Sequence, residues 1–521
     1  MGKTLSFSDL DRLSAHFAAW LQHETDLVPG DRIAIQLPNV LQFPVAVFGA
    51  LRAGLVVVNT NPLYTEREMA HQFKDSNAKA IVILANMADK LEKVLDKTEI
   101  KHVLVTQLGD LHDVPKRWLI NAVVKHVKKM VPAYSLPSAV GFRDALKKGA
   151  SLKHTPVERN MDDLAALQYT GGTTGESKGA LHSHHSLYMG MLNQSIAERI
   201  VPTDVYMLTG QMFHIPVALA MNYMAHGCPV VLINFDAKLA LDVIQQERVS
   251  AFLGITTMIN WMMAVEGFED YDLSSLRNFQ YGGGPMPRSV VEAALKAFPC
   301  TMIQGYGQTE GMTMTFLSQE DHQRAIAGDH PERLGSCGRE GFVSEIRVVD
   351  PEGEPVPRDG QTAGEIVVRS EANMLGYWRR PDLTEQTLRD GWMWTGDIAT
   401  WDEEGYVFIV DRAKDMIISG GENIYSTQVE AAIHQHPAVL ESAVFGIPDD
   451  TWGEAVKAVV VLKPGQTATE EEIIAEASNH LASYQKPKSV DFVEALPKAP
   501  TGKILKRDLR DPYWQDETRQ V

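Results

Sequence analysis

Apolar positions follow two rhythms along the first three-quarters of the chain. Short β-branched runs, Arg32-Ile33-Ala34-Ile35-Gln36-Leu37, Ala80-Ile81-Val82-Ile83-Leu84, His102-Val103-Leu104-Val105 and Val230-Val231-Leu232-Ile233, are separated by longer stretches with helical spacing. That alternation reads as βαβ units, in which parallel strands are buried under helices. From Gly341 to Val410 the spacing tightens into short strands with Gly and Pro turns, such as Ser344-Glu345-Ile346-Arg347-Val348-Val349 followed by Asp350-Pro351-Glu352-Gly353. A small antiparallel or barrel-like subdomain is expected there. After Asp411 helix and strand segments such as Glu441 to Ile447 lead to a charged tail. The expected class is therefore α/β: a large N-terminal domain of parallel sheets flanked by helices over 1–411, including the small β subdomain over 340–411, then a small α+β C-terminal domain over 412–521. The boundary falls near Lys414.

One further segment shows helical periodicity of another kind. Between Trp118 and Val131, Leu119, Val123, Val127 and Val131 share one face and Lys125, Lys128 and Lys129 another. An ordinary surface helix with a solvated basic side has this pattern, and so does an interfacial membrane helix.

Composition narrows the function classes. The 521 residues are 44% hydrophobic and 22% charged, so the chain is globular and long enough for more than one domain. Its 67 acidic against 49 basic residues give a net charge of -18, which repels nucleic-acid phosphate. Cys228, Cys300 and Cys337 lie far apart without CxxC spacing, so neither a disulfide framework nor a zinc site is expected, and a reducing cytoplasmic compartment fits. No signal segment or spanning helix is indicated, which leaves 118–131 as the candidate for peripheral contact with the inner face of a membrane. A homodimer stays open.

The chemistry concentrates in a few motifs. Tyr169-Thr170-Gly171-Gly172-Thr173-Thr174-Gly175-Glu176-Ser177-Lys178-Gly179 combines glycines that let N–H groups converge, hydroxyl donors and a lysine charge. A polyphosphate calls for that combination. It is not the GxxxxGK[ST] loop, because position 177 is Ser. Further along come Tyr281-Gly282-Gly283-Gly284-Pro285, Gln304-Gly305-Tyr306-Gly307-Gln308-Thr309-Glu310, Trp394-Thr395-Gly396-Asp397, the stretch from Val410 through Arg412 and Lys414 to Ser419-Gly420-Gly421, and Pro500-Thr501-Gly502-Lys503. Small residues admit a flat adenine, and a tyrosine can stack on one. A lone carboxylate such as Glu310 suits Mg²⁺ that keeps phosphate oxygens as its other ligands. A carboxylate such as Asp397 can accept from a ribose diol, though after Gly it can equally be a turn residue.

Taken in this order, the motifs resemble those of the adenylate-forming superfamily, and the resemblance runs over essentially the whole chain. The family's phosphate loop commonly reads T-S-G-T-T-G-x-P-K-G; here Gly171 replaces Ser and Ser177 replaces Pro. The resemblance implies an ATP-dependent acid:CoA ligase that forms acyl-AMP and pyrophosphate, then acyl-CoA and AMP. Its substrates are a small-molecule carboxylic acid, most simply a medium- or long-chain fatty acid, with ATP, Mg²⁺ and coenzyme A. It also implies roles. Nucleotide contacts fall to Thr170, Gly171, Gly172, Thr173, Thr174, Gly175, Lys178, Gly283, Gly284, Pro285, Gln304, Gly305, Tyr306, Gly307, Thr309, Asp397, Arg412 and Lys503. Glu310 is the metal ligand, and Lys503, Glu310 and His214 are the catalytic set. His214, Gly307 and Gly311 border the acyl group. Ser419, Gly420 and Gly421 line the CoA path, and Lys414 is the hinge of a mobile C-terminal domain. An aryl-CoA ligase for a cinnamate- or benzoate-like acid, an enzyme loading a carrier-protein thiol, and a luciferase-like oxidative enzyme share this apparatus.

Overall fold

The computed structural model describes residues 2–170, 177–214, 216–284, 286–498 and 504–514, with the side chains of 216–219 outside that description. The β-branched runs build two seven-stranded sheets. The first contains β1 (Arg32–Gln36), β2 (Val56–Asn59), β3 (Ala78–Leu84), β4 (His102–Thr106), β5 (Val140–Gly141), β6 (Leu164–Thr170) and β7 (Lys178–Ser183), in the order β5-β4-β3-β1-β2-β6-β7. Every pair is parallel except the last, β6 with β7. Near-continuous burial along β1, β2 and β3 is what a sheet covered on both faces requires.

The second sheet contains β8 (Tyr206–Leu208), β9 (Val230–Leu232), β10 (Ala251–Gly254), β11 (Asn278–Gly282), β12 (Thr301–Gln308), β13 (Met312–Leu317) and β14 (Arg339–Glu340), ordered β14-β13-β12-β11-β10-β8-β9. It too is parallel until its last members, where β12, β13 and β14 pair antiparallel. Each large sheet thus ends a parallel run in antiparallel pairing. In β6–β7 Thr170 pairs with Lys178; in β12–β13 Gln308 pairs with Met312, which leaves Thr309, Glu310 and Gly311 at the turn.

The third sheet is five-stranded and antiparallel: β15 (Ser344–Val349), β16 (Gly364–Ser370), β17 (Leu388–Arg389), β18 (Trp392–Trp401) and β19 (Val407–Arg412). The fourth holds β20 (Ile417–Ser419), β21 (Glu422–Ile424), β22 (Val439–Asp449), β23 (Gly453–Leu462) and β24 (Ser489–Phe492), with only β23 and β24 parallel. It has its own core of Ile417, Ile424, Val444, Val456 and Val460.

The basic segment departs from the expected regular helix. Lys116–Ala122 is α-helical, and Val123–Val127 then widens into a π turn. Leu119 and Val127, read as one face with Val123 and Val131, are 65% and 72% exposed, whereas Val123 and Val131 are half-buried. The wider turn breaks the 3.6-residue register on which that face depended.

Candidate active site

β7, the β12–β13 turn and the segment after β16 meet around Glu310. Just after β16, the Leu375–Trp378 stretch runs beside β7, with Leu181 N donating to Gly376 O at 2.9 Å and Trp378 N to Gly179 O at 2.8 Å. That docking lays the Tyr377 ring under the Lys178 ammonium, 3.9 Å from the ring centroid. The Tyr377 hydroxyl in turn donates to Glu310 Oε1 at 2.7 Å. Burial lowers the Lys178 pKa, and the nearby Glu310 carboxylate acts against that shift. Buried His182 holds the Glu310 turn from below, its Nε2 donating to Thr309 O at 2.7 Å. Lys178 and Glu310 were expected from sequence; Tyr377, which joins them, and His182 were not. Tyr377 stands outside every motif, and only the strand-like pairing with β7 brings it in.

A second centre forms where β12 faces β18. Asp397 is almost fully buried. Its Oδ2 accepts from the Tyr306 hydroxyl at 2.6 Å and from Gln308 Nε2 at 2.7 Å, and its Oδ1 pairs with Arg412 Nε at 3.0 Å. Three protein donors therefore occupy most of the roughly four lone-pair sites of the carboxylate. A ribose diol at this group would have to displace or join them, with the half-exposed Arg412 the donor freest to move. Tyr306, read as a stacking residue, is 9% exposed and its ring lies in the core of the third sheet with Met314, Cys337 and Val348.

The remaining residues divide by location. Gly283 and Gly284 are exposed, and a side chain at either would meet nothing within 4 Å, so space is open beside them. The Thr170 hydroxyl and Gln304 Oε1 are buried without a hydrogen-bond partner among the described residues. An orphaned hydroxyl at Thr170, which adjoins the phosphate-loop sequence, fits a ligand that supplies the missing partner. One carboxylate with a neighbouring ammonium likewise suits a Mg²⁺ that takes most of its oxygens from phosphate and water. Gly171, Gly172, Thr173, Thr174, Gly175, Pro285 and Lys503 lie outside the described residues.

Beside Thr309 lies an apolar cavity of about 70 Å³. Val47, Leu51, Leu187, Met191, Met221 and Met312 wall it, and His214 and Thr309 give it a polar corner. Burial lowers the His214 pKa, which favours the neutral imidazole. Gly307 and Gly311, expected at the acyl group, do not line it. A Cβ on Gly307 would strike Met312 O at 1.9 Å and one on Gly311 would strike Met393 Cε at 2.5 Å, so these glycines let the hairpin pack closely. Thr309 and Met312 face the cavity from this turn. Met312 has φ of 57°, an unfavourable left-handed backbone for a non-glycine residue.

Around Lys414 the chain changes partners. Ala413 N donates to Gly396 O at 2.9 Å, on the side of the third sheet. Lys414 O accepts from Arg510 Nη1 at 3.3 Å, on the side of the fourth. Ser419, Gly420 and Gly421 form the turn between β20 and β21; at Gly420, φ of 62° and the Trp452 ring 2.7 Å from a built Cβ together leave room only for glycine.

Comparison with known proteins adds an independent line. Residues 1–378 match the family model of the AMP-binding enzyme, and residues 428–503 that of the AMP-binding enzyme C-terminal domain. The chain is 40% identical over 519 residues to a long-chain-fatty-acid–CoA ligase of Escherichia coli O6:H1, covering 98% of this chain and 90% of that protein. It is 33% identical to a feruloyl-CoA synthase of Amycolatopsis sp, covering 98% and 94%. Among solved structures, ATP-bound MatB from Rhodopseudomonas palustris superimposes with a TM-score of 0.82 at 28% identity, covering 98% of this chain and 94% of that one.

Proposed function

The chain belongs to the AMP-binding enzyme family, and from that premise we propose that it is an ATP-dependent fatty acid:CoA ligase. The observation that carries the reading is the juxtaposition of a Lys178–Tyr377–Glu310 chain with an apolar cavity that Thr309 and His214 help to line. The greater identity to the long-chain-fatty-acid–CoA ligase than to the feruloyl-CoA synthase favours an aliphatic over an aryl acid.

A carboxylate is a poor acyl donor because attack on it must expel oxide. Attack by the carboxylate oxygen on the α-phosphorus of ATP releases pyrophosphate and leaves a mixed anhydride whose AMP portion is a good leaving group. The CoA thiol then attacks the acyl carbon, the C–O bond to AMP breaks, and the thiol proton is lost. Lys178 supplies positive charge to the polyphosphate, and Tyr377 orients Glu310 for the Mg²⁺, which would neutralise the departing phosphates. The Arg412–Asp397 pair addresses the nucleoside, and Lys503 the charge that develops at the α-phosphate. His214 stays neutral beside the acyl carboxylate.

Two half-reactions at one site call for an exchange of groups, and Lys414 is the proposed pivot. Supporting this, the backbone switches from third-sheet to fourth-sheet partners across it. Rotation must also break the bonds from Ser426 N and Oγ to Asp411. Proline fixes φ near -65°, so Lys414→Pro is expected to keep adenylation and lose thioester formation. Survival of both half-reactions would remove Lys414 from this role.

We also read 114–134 as a membrane-docking patch. Val114, Trp118, Leu119, Val127 and Met130 are exposed beside Lys116, Arg117, Lys125, Lys128 and Lys129, and no acid lies between positions 114 and 143 of an otherwise acidic chain. Such a patch suits an anionic bilayer surface. Co-sedimentation with anionic but not zwitterionic vesicles is the expected result. The test of the central reading is pyrophosphate release over a panel of fatty and aryl acids, with and without CoA. Release with fatty acids, and acyl-CoA only when CoA is added, is expected; a preference for aryl acids would replace it.

A further inference from the structure

The cavity beside Thr309 is far smaller than the roughly 300–1,000 Å³ of ordinary ligand sites. A fatty chain must therefore open it further, and Met191, Met221 and Met312 are the soft groups it would push aside. Two helices that wall the cavity extend beyond it. On the His184–Glu198 helix, Leu187 and Met191 face the cavity, and Gln194 and Glu198 follow them at three- and four-residue spacing on the same face. On the Pro216–Ala225 helix Met221 faces the cavity, and farther on Tyr223 Oη donates to Glu198 Oε2 at 2.6 Å. Beyond both, Cys228 Sγ meets Val201 O at 3.2 Å. The two segments thus run side by side in the same direction, away from the cavity, and are tied together by a polar pair. Met191 and Glu198 are seven residues apart, about 10 Å along a helix.

This far end is polar and sealed. Gln194 Nε2 donates to Glu198 Oε1, and the Tyr223 ring stacks on Tyr206 with centroids 4.3 Å apart. From the second sheet, Gln280 Nε2 reaches Tyr223 Oη at 3.4 Å. All five side chains are buried. Gln194 Oε1, Gln280 Oε1 and Tyr206 Oη have no partner among the described residues. Desolvation pushes the Glu198 carboxyl up to about 8, so at neutral pH it is mostly protonated and serves as a hydrogen-bonding group, not a charge.

We propose that Gln194, Glu198 and Tyr223 form the floor of the acyl chamber and set the longest acid the enzyme accepts. A methyl terminus arriving here would separate groups that hydrogen-bond one another and give the orphaned oxygens nothing in return. A terminal hydroxyl would satisfy one of them.

The inference rests on the fatty acid reading, and the experiment keeps the two apart. Pyrophosphate release is measured over saturated acids of increasing length and their ω-hydroxy counterparts. With the unaltered protein, kcat/KM is expected to fall at a limiting length. Shorter ω-hydroxy acids should be worse than their methyl-terminated partners; at the limiting length the order should reverse, by roughly tenfold. Glu198→Ala should move the limit to longer acids by at least about two carbons, the room an alanine leaves, with the KM for ATP unchanged. No reversal at any length, or an unmoved limit in a folded Glu198→Ala protein with normal ATP KM, overturns the floor. If no fatty acid releases pyrophosphate, the ligase reading itself fails.

Discussion

Asp397 and Glu198 are both buried carboxyl groups that accept from one tyrosine hydroxyl and one glutamine amide. Asp397 has in addition the Arg412 guanidinium at 3.0 Å, whereas the carboxyl of Glu198 is bonded to neutral donors alone. Glu198 is accordingly pushed up to about 8 by desolvation. The comparison teaches that burial among neutral donors leaves desolvation to push a carboxyl toward its protonated form. It also separates the two ends of the proposed site. In that proposal fixed charges on strands would meet the nucleotide, and soft thioethers backed by a protonatable acid would meet the acyl chain.

The comparison predicts where single substitutions hurt most. Lys503→Ala, which removes the cation proposed to act on the α-phosphate, should slow adenylation by roughly a hundredfold. Thioester formation from supplied acyl-adenylate should be spared; equal loss in both would place Lys503 elsewhere. Arg412→Ala makes the surroundings of Asp397 resemble those of Glu198. The KM for ATP should rise by about tenfold, the worth of one charge-assisted hydrogen bond, with the ranking of acids unchanged. A reordered acid preference would show that the two ends are not separable.

A smaller effect concerns stability. The folded Glu198 pKa of about 8 lies above the ordinary value of 4.5, so between those pH values the native protein keeps a proton that the unfolded chain releases. Its contribution is fully present below pH 4.5 and is lost as pH rises through about 8, with a slope of up to about 1.4 kcal/mol per unit. Asp204, nearby in the same cluster, runs the other way. Burial raises its pKa, but Arg277, Val201 N and Ser250 together outweigh that and leave it lowered, so its contribution is lost as pH falls. Denaturant unfolding of Glu198→Gln from pH 5 to 8 should show a flatter pH dependence than the parent protein; an unchanged slope would return the proton to another group. Smallest of all, Met191→Leu conserves volume and should change stability by less than about 1.5 kcal/mol, with at most a slight shift in acid preference. A collapse in activity would mean that the thioether wall is rigid.

Legibility in the sequence differed between the same two ends. Alternating β-branched and helical runs marked the strands within a residue or two, as at Ser344–Val349, because strand and helix periods are local properties. The glycine-rich and Asp-containing motifs supplied the proposed nucleotide end because consecutive residues carry the chemistry it calls for. Tyr377 carries no motif, and it reaches Lys178 and Glu310 only because its segment pairs with β7. At Gly307 and Gly311 the motif could not show the packing: a backbone carbonyl and Met393 occupy the directions their side chains would take.

By itself the sequence determined the α/β class and several of the strands that build it, and it supplied the candidates for phosphate and ribose chemistry, since each depends on neighbours in sequence. Only the tertiary structure decided that Leu187, Met191, Met221 and Met312 share one cavity, that Asp397 is already held by three donors, and that Glu198 is bonded by Tyr223 and Gln194. Those depend on which faces of distant helices and strands are pressed together. Packing fixes that choice, because apolar side chains are interchangeable along the chain and become distinct only through what they touch.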